Sequence, residues 1–173
     1  MHNKQVYILI GPKGSGKSFI GNIFRKYFNI DFIRVEDRIL KVKGDRDIEN
    51  EAYIKDAFQT VEEGLRKTLI EIDSLVFEST GLTEHFNKLL DNLKADYNVI
   101  TIKINAELNI CLNRVKTRDQ SIHINVSDDQ VEKINALVFS MNLRTDYVID
   151  NNDKSVDDLI TEIKRILKST GSK

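Results

Sequence analysis

Apolar residues along this chain follow two rhythms that alternate from one end to the other. The first is a short continuous run. Gln5 to Ile10 is rich in β-branched and aromatic residues and stops at Gly-Pro, the mark of a strand buried on both faces. The second is a spacing of three and four, which gathers Phe19, Ile23 and Phe24 on one side of a helix from Ser18 to Phe28. A short strand from Asp31 to Val35 leads into KVKGDRDIEN, which has no apolar period and is expected to be a loop. From Glu51, the residues Ile54, Phe58, Val61, Leu65, Leu69 and Ile72 describe a long amphipathic helix that carries Gly64 within it. Ser74 to Phe77 predicts a strand, Leu82 to Leu93 a helix, and Asn98 to Ile104 an alternating strand that ends at Asn105. A helix follows from Glu107 to about Thr117. RDQSIHINVSDD has no helical period, and one resumes between Asp129 and Met141 through Val131, Ile134, Leu137 and Val138. DYVIDNN predicts the last strand, and Val156, Leu159, Ile160, Ile163 and Leu167 a closing helix.

Five strands alternating with helices imply right-handed crossovers and a parallel sheet covered on both faces. The expected class is α/β, a five-stranded parallel sheet in three layers. With no internal repeat, no low-complexity tract and one proline, residues 1–173 are expected to form a single domain.

Composition narrows the setting. A content of 40% hydrophobic and 31% charged residues is that of an ordinary globular chain, and 26 basic against 27 acidic residues leave a formal charge of -1. No global field draws such a chain to nucleic acid or to a membrane, so a polyanion has to be met locally. The longest apolar run, Val6 to Ile10, is far short of a membrane span, and no signal-peptide core precedes it; a cytoplasmic protein is expected. The one cysteine, Cys111, falls in register with Leu108, Leu112 and Val115 and suits the buried face of a helix.

Candidate chemistry begins where the first strand breaks. GPKGSGKS fits G-x-x-x-x-G-K-[ST], with Gly11, Gly16, Lys17 and Ser18 in the fixed positions and Pro12, Lys13, Gly14 and Ser15 between them. Glycines let the backbone curl so that successive N–H groups point inward, and the following helix adds its positive end. Such a nest suits a polyphosphate, with Lys17 on the β- and γ-phosphates and Ser18 on Mg²⁺. In these residues the chain resembles the P-loop nucleoside triphosphate proteins. The GTPase signature N-K-x-D has no counterpart, since NKLLD at 87–91 lies in a helical pattern with the wrong spacing.

Three further stretches fall at strand ends, where open α/β sheets bind ligands. RVEDRIL brings Glu36 and Asp37 to the end of the second strand, either as caps and solvated carboxylates or as groups that serve the phosphate site. It resembles the D-x-D stretch of shikimate and gluconate kinases, with Asp37 at the second acidic position and Val35 at the first. That resemblance implies Asp37 as a metal partner or as the base for an acceptor hydroxyl. SLVFESTG ends in Glu78, Ser79, Thr80 and Gly81, either a strand-to-helix turn capped by Thr80 or Thr83, or a pocket floor in which Glu78, Thr80 and Gly81 bind substrate or Glu78 binds magnesium. It is similar to the turn of polynucleotide-kinase-like and small-metabolite kinases and unlike the G-G-G of shikimate kinases. The shikimate-type F-R-x-x-E appears as FQTVE, with Gln59 where the resemblance puts the carboxylate-binding arginine, so shikimate is a poor candidate acceptor.

CLNRVKTRDQ places Arg114 and Arg118 on one helix face after the fourth strand. Exposed arginines are common there, yet the pattern resembles the R-x-x-x-R that opens the lid of nucleoside-monophosphate-kinase-like proteins. That resemblance implies a lid at about 118–127, a substrate segment at about 38–52 that is mobile, and sheet order 2-3-1-4-5. It implies contacts from Asn152 and Asp153 to the adenine ring, where DNNDKS also spells a turn and a helix cap. His123 in the lid reads as a loop residue, and His2 and His85 carry no signal.

The expected activity is ATP-dependent transfer of the γ-phosphate, with Mg²⁺, to a small-molecule hydroxyl or phosphate, by a monomer or homodimer. Lys17, Asp37, Arg114 and Arg118 carry the chemistry. Two alternatives stay open: a nucleic-acid-end kinase using Lys41, Lys43 and Arg46, whose acidic neighbours offset them, and a nucleotide-binding regulator without transfer.

Overall fold

The computed structural model describes residues 4–44, 50–119 and 126–171. At its centre lies β1 (Gln5–Ile10), paired with β3 (Ser74–Ser79) on one side and β4 (Asn98–Asn105) on the other, with Gln5 opposite both Ser74 and Asn98. β2 (Asp31–Ile33) flanks β3, and β5 (Tyr147–Asp150) flanks β4. Every pair is parallel and the order is β2-β3-β1-β4-β5, as the resemblance implies. A parallel sheet ends all its strands at one edge. Gly11 and Thr80 therefore leave the sheet side by side, while β4 runs two residues further, to Asn105.

The continuous apolar run of β1 has a direct structural cause. Tyr7 and Leu9 point to one face, where α1 (Lys17–Phe28) and α7 (Val156–Ser169) supply Ile20, Phe24, Leu159 and Ile163. Val6, Ile8 and Ile10 point to the other, where α3 (Glu51–Glu71) and α4 (Glu84–Asp96) supply Val61, Leu65, Leu69, Phe86 and Leu89. Two cores share one strand, so neither side of it tolerates a polar residue.

Between β2 and α3 the structure departs from the sequence expectation. The strand stops at Ile33, and Val35–Lys43 forms a helix, α2, which takes up the start of the segment expected to be a loop. Glu36 and Asp37 sit in its first turn, where the helix dipole favours acids. Val35 and Ile39 pack on the α3 and α4 side. Val35, Ile39 and Val42 recur at spacings of four and three, a helical period of only two turns that runs on directly from the strand before it. Gly64, inside α3, lies under this helix: a Cβ there would stand 1.8 Å from the Arg38 guanidinium, which reaches across to Thr68.

The remaining helices, α5 (Leu108–Thr117) and α6 (Asp128–Ser140), match the sequence reading within a residue or two. Ser127 caps α6 in a reciprocal box with Gln130, and Thr83 caps α4 by accepting from the Phe86 N–H. Two positions of the expected apolar helix stripes, Phe19 on α1 and Leu137 on α6, are more than half exposed instead of joining the core. Cys111 is buried, as its register implies. Among the described residues no helix is long and apolar enough to cross a membrane. Arg46, His123, His2 and most of the expected lid, 120–125, lie outside the described residues, as do the side chains of Lys41 and Lys43.

Candidate active site

The loop from Gly11 to Ser18 leaves β1 and enters α1 through two glycines in the left-handed region, Gly14 at φ 85° and Gly16 at φ 95°. At Gly14 the neighbouring backbone forbids a side chain as firmly as conformation does, and at Gly16 a side chain would have to displace the Asn151 amide. A Cβ on Gly14 would stand 2.1 Å from the Cys111 carbonyl oxygen, and one on Gly16 would stand 2.2 Å from the Asn151 amide nitrogen. The loop is also tied down through its own backbone. Asn151, at the end of β5, donates its amide to the Ser15 carbonyl at 2.8 Å. Asn135 on α6 brackets Lys13, accepting from its N–H at 2.8 Å and donating to its carbonyl at 2.9 Å. Both asparagines are buried.

Lys17 begins α1 under this loop, with its ammonium donating to the carbonyls of Gly11 and Pro12 at 2.8 Å each. Burial pushes its pKa down from 10.5 to about 8, against the pull of Glu78. A charged amine held only by neutral carbonyls is a site for an anion. Burial also lowers Lys13, whose ammonium stands 3.9 Å from Glu36.

Ser18 donates to both carboxylate oxygens of Glu78 at 2.9 Å, which joins the start of α1 to the end of β3. Glu78 is itself buried. A hydroxyl and a carboxylate in contact form a hard oxygen pair, and Mg²⁺ needs only one or two such protein ligands beside water and substrate phosphates. The pair fits that ion. Among the described residues no group of three or more His, Cys, Asp or Glu side chains could cage a metal without such help.

The two acids after β2 go different ways. Glu36 turns into the site, between Lys13 and Arg34, whose guanidinium lies 3.6 Å from it. Asp37 turns outward and pairs with Arg34 at 3.7 Å, with 57% of its side chain exposed. The structure therefore does not bring Asp37 to the phosphate loop, as a metal partner or as a base. One helical step of about 100° separates the two residues, and a strand reading of this stretch could not assign the faces.

Arg114 and Arg118 both reach the site. Arg114 donates to the carbonyls of Asn151 and Asn152 at 2.9 Å each, which fixes its guanidinium and leaves part of its donor set unused. Arg118 is half-buried, and its Nε has no hydrogen-bond partner among the described residues. Burial lowers its pKa while Glu36 and Glu78 act to raise it. Asn152 accepts the Glu107 N–H at 2.8 Å, and Asp153 is exposed; neither lines the cavity.

These groups surround one cavity of about 540 Å³. Its floor is the phosphate loop and the β3 end with Glu78, Ser79 and Thr80, and its far wall is α2 and α3. Gly81, at φ 80°, packs on Ile10 beneath the floor and does not line the cavity. Sequence reasoning missed Asn135, Asn151 and the choice of Glu36 over Asp37. A signal existed for Asn135 alone: it occupies the buried register of Val131 and Val138, where an amide needs partners.

This geometry agrees with what the chain is similar to. A curated shikimate kinase of Macrococcus caseolyticus is 27% identical over 169 residues, covering 93% of this chain and 95% of that one. Among solved structures, a shikimate kinase from Aquifex aeolicus superposes with a TM-score of 0.63 at 20% identity, over 96% of this chain and 98% of that one. A gluconokinase from Sinorhizobium meliloti gives a TM-score of 0.66 at 13% identity, over 98% and 97%. These structural likenesses establish the fold. The family model for shikimate kinase matches residues 13–168, nearly the whole chain from the phosphate loop to the last helix, and this P-loop kinase belongs to that family.

Proposed function

We propose that this kinase moves the γ-phosphate of ATP to a hydroxyl of a small acceptor bound between the phosphate loop and α2–α3. The observation that carries this reading is the Lys17, Ser18 and Glu78 arrangement opening onto a cavity that also holds Glu36, Arg114 and Arg118. Ser18 and Glu78 would hold Mg²⁺, which would supply neutralisation of the phosphate oxygens as charge spreads over them.

The rest is work for the side chains. Lys17 gives up the Gly11 and Pro12 carbonyls for phosphate oxygens, which satisfies its charge better than neutral acceptors do. Glu36 takes the proton of the acceptor hydroxyl as its oxygen attacks phosphorus, the β,γ bridge bond breaks, and ADP leaves with the electron pair. Arg118 offers its unused donors to the transferring group, and Arg114 holds the segment after β5 so that Asn152 and Asp153 present their main chain to the adenine ring. Asp37 keeps an indirect part through Arg34, which it shares with Glu36. Substrate contacts from Thr80 complete the acceptor floor, while Gly81 shapes it from below. The absence of a membrane-crossing helix among the described residues and the unpaired Cys111 support a cytoplasmic setting.

Acceptor-dependent ADP formation from Mg-ATP across hydroxylated metabolites and nucleosides tests the reading. Turnover with at least one acceptor, lost in Lys17→Met, is expected. Tight Mg-ATP binding without turnover on any acceptor would leave a nucleotide-binding regulator instead.

A further inference from the structure

The cavity wall has two chemically different ends. All six charged side chains among its described lining residues, Lys13, Lys17, Glu36, Glu78, Arg114 and Arg118, belong to the phosphate end. They act as one group: Lys13 pairs with Glu36, Lys17 feels Glu78, and Arg118 feels both acids. The α2–α3 wall is different. Beyond Glu36, in the first turn of α2, the described residues that line it, Val35, Ile39, Tyr53, Ile54, Ala57 and Phe58, carry no charge.

Ile54 and Phe58 belong to the apolar stripe of α3, yet the buried residues of its first turns are Tyr53 and Ala57. The stripe is therefore wider than its own core needs. Ile54 and Phe58 stay half-open on the cavity side, where an amphipathic surface helix would ordinarily turn polar. Among the described residues, polar side chains beside this wall are engaged elsewhere. Arg38 crosses over Gly64 to Thr68, and Gln59, at the position of a carboxylate-binding arginine, is exposed and bonds Glu63 at 2.9 Å.

A carboxylate placed against this wall would lose its water without gaining a cation among the described residues, and several hydroxyls would each lose a hydrogen bond. A neutral apolar body gains from the same burial. We infer that the acceptor is a neutral alcohol with a ring-containing or branched apolar body that packs on Ile54 and Phe58, and not a polyhydroxy acid. Its single reacting hydroxyl lies toward Glu36 and Thr80. The inference rests on the kinase reading, because it is the transfer site that places the hydroxyl.

The test compares 2-phenylethanol, 2-cyclohexylethanol and 2-(2-naphthyl)ethanol with shikimate and gluconate, on the full chain with Mg-ATP. We expect kcat/KM for the best apolar alcohol about tenfold or more above that for either acid, the scale set by one or two methylene groups of apolar contact. Ile54→Gln, at a half-open position that leaves the core intact, should raise the alcohol KM about tenfold while the Kd for ATP holds. Saturation-transfer NMR with Mg-ADP present reads alcohol binding without turnover. Binding of the alcohols, weakened by Ile54→Gln, with no ADP from any acceptor, would uphold the apolar site and overturn the kinase reading. Preferential turnover of shikimate or gluconate would overturn the inference and leave the kinase reading standing. No alcohol binding at millimolar concentration, or binding unchanged by Ile54→Gln, would overturn the inference.

Discussion

The donor half and the acceptor half of the cavity are built by different means. On the donor side the protein shapes its own backbone: Gly14 and Gly16 admit no side chain, Asn135 and Asn151 bond loop carbonyls, and the Cys111 carbonyl closes one flank. On the acceptor side a wall of side chains does the shaping, from α2 and the first turns of α3. A phosphate chain is the same in every nucleotide, so a backbone nest can be fixed once. An acceptor differs from kinase to kinase, and side chains can change without disturbing the loop. Damage to the donor half should therefore stop turnover on every acceptor, whereas damage to the other half should change which acceptor is used.

The largest effect is expected at Lys17. Lys17→Met should lower kcat/KM by about 10³-fold or more on any acceptor, in an ADP-release assay. Its thermal midpoint should stay at or above that of the parent, because the fall in pKa from 10.5 to about 8 means that folding buries the charge at a cost on the order of 3 kcal/mol. A midpoint well below the parent would make Lys17 a structural residue. Gly14→Ala comes next. Its Cβ meets the Cys111 carbonyl at 2.1 Å, so loss of about 2 kcal/mol or more in denaturant unfolding and a collapse of ATP affinity should appear together.

How far these halves could be read beforehand follows from the same difference. The donor half depends on spacing along one stretch, strand to glycines to helix, and GPKGSGKS carries all of it. The sheet order followed from resemblance and the alternation of elements from periodicity. Arg114 and Arg118 were legible from their spacing of four, although α5 ends at Thr117 and Arg118 reaches the site from the extended residue after it, not from a shared helix face. Asn135 and Asn151 act across more than a hundred residues of chain on the loop backbone; the register of Asn135 with Val131 and Val138 marks it as buried but not what it bonds, and Asn151 has no local pattern at all. The acceptor wall was illegible for another reason. Ile54 and Phe58 look like core in a helical projection, and only the structure shows that Tyr53 and Ala57 are the buried residues there while Ile54 and Phe58 stay half-open, Phe58 with one side on the core and His85. The short α2 hid because its apolar period, Val35, Ile39 and Val42, spans only two turns straight after a strand, and with it hid the facing of Glu36.

That facing supplies a mid-sized prediction. Glu36→Gln should lower kcat by about 10²-fold, the scale of a lost general base, while Asp37→Asn changes it less than about threefold. Equal losses would return Asp37 to the site. The smallest effect is in pH. Lys17 must be charged to hold phosphate, and its proton leaves near pH 8 in the free protein, so kcat/KM for ATP should fall as pH rises above about 8. Stability has the opposite sign: between about 8 and 10.5 the unfolded chain holds a proton that the folded one lacks, so the nucleotide-free protein should gain stability as pH climbs through that window.

The most direct test follows the phosphorus itself. ³¹P NMR of the wild-type chain with Mg-ATP and the alcohol and metabolite panel should show the γ-phosphate signal replaced by ADP and a new phosphomonoester resonance, with neither change in Lys17→Met. Conversion of ATP to ADP and inorganic phosphate alone, or an equal phosphomonoester yield from Lys17→Met, would contradict the account.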